Sequence, residues 1–138
     1  MALPILDTPT YELTVPSTKK KIKYRPFLVK EEKVLLLALE SEDDKEIANA
    51  MKGLIKACVL TKGINPDDLA TFDIEYIFLN IRGKSIGEDI DVKMVCPDDG
   101  KTEITTKIPI DKIKVRFTKG HTNQIQISND LWVEMKYP

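Results

Sequence analysis

A few groups of residues in this 138-residue chain have the types that could do chemistry. Cys96-Pro97-Asp98-Asp99-Gly100 has the outline of a zinc knuckle, where thiolates at a hairpin tip hold the metal tetrahedrally. Its second cysteine position is filled by Asp99, and His121 is the one further strong ligand nearby in sequence. Cys96, His121 and carboxylates make an incomplete ligand set, so the sequence predicts a knuckle-shaped turn without metal. Gly83-Lys84-Ser85 has the closing residues of a phosphate-binding loop. That loop needs another glycine five residues earlier and a preceding strand, but the position is Phe78, inside a helical pattern. Nucleophilic catalysis needs a base, and nothing pairs His121, the only histidine, with Cys58, Cys96 or a serine. Asp43/Asp44, Asp67/Asp68 and Asp98/Asp99 fall at caps and turns, where carboxylates serve local backbone hydrogen bonds. The sequence therefore points to no catalytic residue, no metal and no cofactor.

The bulk numbers narrow the class. With 21 basic and 22 acidic residues the net charge is −1, which argues against a general nucleic-acid binder. No apolar run is long enough to span a membrane, and the first residues do not form a signal peptide. Without an export signal, Cys58 and Cys96 are expected as free thiols in a reducing cytoplasm. The hydrophobic share of 42% is enough for a folded core.

The elements follow from periodicity. Residues 1–6 read as an extended arm. Tyr11, Leu13 and Val15 alternate with polar residues, then Ile22 and Tyr24 do, around the turn residues Pro16-Ser17-Thr18. This predicts a β-hairpin with one apolar and one cationic face and Lys19–Lys21 at a solvated tip. Pro26 ends it. Val34, Leu35, Leu36, Leu37 and Leu39 occupy too many sides of the next helix for a half-exposed one, which predicts burial within the fold or under another chain. Ile47, Met51, Leu54, Ile55, Cys58 and Val59 form the stripe of a second helix, capped by Asp43 or Asp44 and closed by Gly63. Cys58 on that stripe reads as a core residue. A third helix is expected from Thr71 as N-cap to about Gly87.

Beyond Gly87 the period changes to two. Ile90, Val92 and Met94 and then Ile104, Thr106 and Ile108 flank the Pro97–Gly100 turn; Ile113, Val115 and Phe117 alternate again before Leu131, Val133, Met135 and Tyr137. Two antiparallel hairpins are expected, at 88–109 and 113–138. The fold class is α+β: an N-terminal β-hairpin, a three-helix middle and C-terminal antiparallel hairpins resembling a metal-free zinc ribbon. The division expected is residues 1–87, hairpin plus helices, and residues 88–138, a β unit packed on it. Trp132 shares a polar face with Glu134 and Lys136, and tryptophan there marks a partner contact. The partner-binding candidates are Trp132, Leu35, Leu36 and Leu37, with Tyr24 and Arg25 at the hairpin's exit.

Three runs carry a resemblance: PILDTPTYELTVPSTKKKIKYRPFLVKEEKVLLLALES, FDIEYIFLNIRGKSIGE and the closing VEMKYP. Leu6–Pro9, Tyr24–Glu32 and Phe72–Tyr76 are its most specific pieces. The chain resembles the T-even-type bacteriophage baseplate hub and tail-assembly proteins. Two departures stand out: Asp99 replaces a knuckle cysteine, and members often continue past the Tyr-Pro into a helical tail. The resemblance implies a non-enzymatic hub subunit or assembly chaperone of a contractile tail. Its partners would be other hub or tail proteins or further copies of itself, in the host cytoplasm during assembly or in the virion baseplate. The alternative is a small nucleic-acid-binding or regulatory module using Lys19, Lys21, Lys23 and Arg25 with Lys112, Lys114 and Arg116.

Overall fold

Tyr11–Thr14 (β1) and Lys21–Tyr24 (β2) pair antiparallel, with Tyr11 opposite Tyr24 and Leu13 opposite Ile22. This register puts the apolar side chains on one face. Ile22 and Tyr24 are buried there, while Lys21 and Lys23 stay exposed. The computed structural model describes residues 7–138, so the arm expected over residues 1–6 lies outside the described residues. Three helices follow: Val29–Glu40 (α1), Asp44–Cys58 (α2) and Thr71–Ser85 (α3). The core is formed by the hairpin, α2 and α3. Val15, Ile22, Phe27, Ile55, Cys58 and Ile81 are among its buried members.

Local interactions set the helix ends. Asp43 caps α2 by accepting from the Lys45 amide at 2.8 Å, so of the two candidate acids it is the first that serves. Gly63 does not close α2. The helix stops at Cys58 because Val59 turns extended and bridges to Tyr24. The Arg25 amide donates to Cys58 O at 3.0 Å and the Leu60 amide to Lys23 O at 2.8 Å, so α2 ends in strand pairing. Ala70, not Thr71, is the N-cap residue of α3. Thr71 is already helical, and its amide and hydroxyl both donate to the Pro138 carbonyl, at 3.0 and 3.1 Å.

Of the two expectations for α1, burial within the fold is not what the single chain shows. Glu31, Leu35 and Ala38, one helical stripe, face inward; Leu36 and Leu37 are 52% and 66% exposed, and Val29, Val34 and Leu39 are exposed as well. α2 and the strand–helix corner back this helix along that stripe.

The second half holds two separate hairpins. Asp89–Val95 (β3) pairs with Glu103–Pro109 (β4), and Gln124–Ser128 (β5) with Leu131–Glu134 (β6). Each is a two-stranded sheet of its own. Ile113–Phe117, expected as a strand, is unpaired. Side chains hold it instead: Phe117 meets Phe72 edge-on at 6.0 Å with the Lys19 ammonium over its ring. Ile110, just before it, is buried against α3 at Gly83, where an added Cβ would stand 3.0 Å from Ile110 Cδ1. Gly83→Val is therefore expected to destabilise the chain by about 1–3 kcal/mol through overpacking, read from chemical denaturation. Arg82 Nη1 is buried without a hydrogen-bond partner among the described residues, and nothing in the structure explains it.

Candidate functional site

The chemistry-bearing residues are held in structural roles. The Asp99 carboxylate accepts from the Lys101 and Thr102 amides, both at 3.0 Å, and from the Thr102 hydroxyl. The Thr102 hydroxyl leads the effects that pull the Asp99 carboxyl down to about 2. Its oxygens thus close the β3–β4 turn, alongside a Gly100 amide to Cys96 O bond of 3.0 Å. His121 lies against Tyr137, ring on ring at 5.7 Å, with Nε2 2.7 Å from the Tyr137 hydroxyl. Cys96 sits at the β3–β4 turn and His121 in this aromatic cluster. Among the described residues no group of three or more His, Cys, Asp or Glu side chains converges as metal ligands. Both cysteines are free thiols; burial pushes the Cys58 thiol up to about 11, so it stays protonated at neutral pH.

Gly83-Lys84-Ser85 ends a helix, as its pattern requires. Lys84 pairs with Glu88 one turn on and lies over the Tyr11 ring. The Ser85 hydroxyl donates to Ile81 O at 2.7 Å and accepts from the Phe27 amide at 3.0 Å. This bond fastens the Arg25–Leu28 corner to α3.

That corner places Tyr24 and Arg25. Both were candidates for a partner, and the folded chain uses both internally. Tyr24 is 2% exposed, within the core. Arg25 Nη2 donates to Glu31 Oε1 at 3.1 Å, and Nη1 to Pro26 O at 2.9 Å. Glu31 Oε2 accepts from the Leu28 amide at 2.7 Å and so caps α1. Burial raises the Glu31 carboxyl, but the Leu28 amide and the Arg25 guanidinium together outweigh it and hold it below its ordinary range.

Three of the seven cationic candidates have partners within the chain. Lys23 lies 3.7 Å from Glu12, Lys19 covers Phe117 and Arg25 faces Glu31. Asp73, in the first turn of α3, is fully buried, and its carboxylate accepts the Ser17 amide, at 3.1 Å, and hydroxyl. The two lie 56 residues apart, and no local pattern links them.

Apolar surface also remains open to a partner. On α1, Leu36 and Leu37 are exposed and Leu35 packs inward. Beside it a groove of about 380 Å³ runs between α1 and α2, lined by Val34, Gly53, Leu54 and Ala57 among others, with Lys30 and Asn49 also on its wall. On the last hairpin Trp132 is 58% exposed opposite Gln126, and Ile125, Ile127 and Leu131 are exposed too. No helix covers Trp132. Against this geometry, residues 8–138 match the family model of the T4 bacteriophage base plate protein. The chain belongs to that family. No curated protein and no solved structure matches it. A base plate protein works in contact with other tail proteins, and no helix of this one is long and apolar enough to cross a membrane among the described residues.

Proposed function

We propose that this base plate protein is a non-enzymatic component of the baseplate hub, a subunit or its assembly chaperone, acting by binding other hub or tail proteins. The observation that carries the reading is the exposed apolar surface of α1 and β5–β6, on a chain whose buried carboxylates Glu31 and Asp73 are committed to internal ties. Leucines and a tryptophan left in water at this density mark contact surfaces. Two such surfaces on different elements favour a subunit that bridges neighbours. Assembly would take place in the host cytoplasm. The cationic nucleic-acid alternative is weakened by the partners that Lys19, Lys23 and Arg25 already have.

The test is co-expression with candidate hub and tail proteins, followed by affinity purification. Co-elution with a hub component supports the reading; elution alone from all of them overturns it. Presence in finished baseplates marks a subunit, and release before completion marks a chaperone. Leu37→Glu and Trp132→Ala are each expected to leave the melting temperature nearly unchanged, since both side chains are exposed. At least one is expected to weaken co-purification roughly 30-fold or more, as loss of an interface anchor does.

A further inference from the structure

We infer that the free edge of β3 pairs with the same edge of a second copy, making a two-fold symmetric dimer with a continuous four-stranded sheet. Among the described residues β3 pairs only with β4, so its other edge has no strand partner there. The Ile110 amide donates to Glu88 O at 2.8 Å, and the Cys96 amide to Thr102 O at 2.8 Å. In an antiparallel ladder these bonds turn the backbone groups of the even-numbered residues Ile90, Val92 and Met94 toward β4. The amides and carbonyls of Asp89, Asp91, Lys93 and Val95 therefore point to the open side.

The sequence of β3, Asp-Ile-Asp-Val-Lys-Met-Val, is self-complementary about Val92. A two-fold axis there sets Asp91 opposite Lys93 of the second copy and Lys93 opposite its Asp91. Both are hydrogen-bonded positions in the register that the outward groups require. Ile90 then faces Met94 of the second copy, and Val92 faces Val92, all on the apolar side. Every opposed pair near the axis is apolar on apolar or of opposite charge, which is what stabilises neighbouring strands.

The free edges of β4, β5 and β6 lack this match. β4 centred on Thr106 sets Thr105 against Lys107 and brings in Pro109, which has no amide to donate. β5 carries no charged residue, and β6 carries a single acid. The β3 pairing also closes on itself, so it yields a dimer and no fibre. It joins the exposed faces of Met94 and Ile104 from both copies into one apolar sheet surface.

Sedimentation velocity or light scattering on the purified chain tests this without any tail protein, so its outcome is separate from that of the co-purification. The wild type is expected to dimerise with rising concentration. D91K and K93D each place like charges opposite one another twice per dimer, and each is expected to weaken dimerisation roughly tenfold or more. An equimolar mixture of the two variants is expected to restore a dimer, because each then meets its opposite charge. The double variant D91K/K93D is expected to dimerise as the wild type does. A wild type that stays monomeric throughout its soluble range overturns the inference. So does a dimer that survives both single reversals, or two folded variants that fail to pair when mixed. Circular dichroism of each variant establishes that it is folded.

Discussion

Ile81→Ala is expected to lower the unfolding free energy by about 2–5 kcal/mol. Ile81 is fully buried on α3, in a core cluster built by hairpin, α2 and α3 together. The substitution removes apolar contact from all of these and leaves a cavity that a tightly connected core collapses only in part. Against a total of about 5–15 kcal/mol for a domain, that is a large share. Urea titration reads it as a drop in midpoint at similar slope. Leu37→Ala is the control: with 66% of Leu37 exposed, it is expected to change stability by less than about 0.5 kcal/mol. Equal costs at the two positions would refute the division between a covered α3 and an open α1.

Arg25→Ala has the second largest expected effect, about 3 kcal/mol, because it strands a buried carboxylate. Glu31 is 7% exposed, and its other cation, Lys30 at 3.8 Å, is itself 79% exposed and a poor substitute. Glu31→Gln keeps an acceptor for the Leu28 amide and is expected to cost less. The pair also sets a pH dependence. Glu31's carboxyl is lowered in the folded chain, so in that window the unfolded chain binds more protons and stability rises with pH. The contribution is fully present above the ordinary carboxylate range and is lost as pH falls through the lowered folded value. A stability profile across acid pH should therefore be flatter in Arg25→Ala than in the wild type.

The fold was legible where a residue's neighbours in sequence decide its place. The β1–β2 register and the α2 stripe with Cys58 inside follow directly from period two and period 3.6. Three features needed longer reach. Consecutive leucines saturate α1, so the pattern carries no phase, and only Glu31's ties to Leu28 and Arg25 show which stripe turns inward. Alternation at Ile113 and Val115 correctly gives half-buried against exposed neighbours, yet period two reports facing and says nothing of pairing. The end of α2 depends on hydrogen bonds to β2 more than thirty residues upstream.

Of the candidate surface, Leu36, Leu37 and Trp132 are open, while Tyr24 and Arg25 are taken by the core and by Glu31. The runs that carry the family resemblance include Arg25, Glu31 and Asp73, the residues that fasten strand to helix and hairpin tip to helix. Family membership was thus visible through the joints of the fold, and the contact surface only through what the joints leave uncovered.

The two anchors on α3 have a mechanical consequence. Ile110 is seated near its C-terminal end, and Thr71 at its other end holds Pro138, beside the Phe72, Phe117 and Tyr137 rings. The stretch that bears β5 and β6 is therefore a strap tied at both ends to one rod about 22 Å long. A pull on that strap is shared between the two ends of a helix whose Ile77 and Ile81 lie in the core.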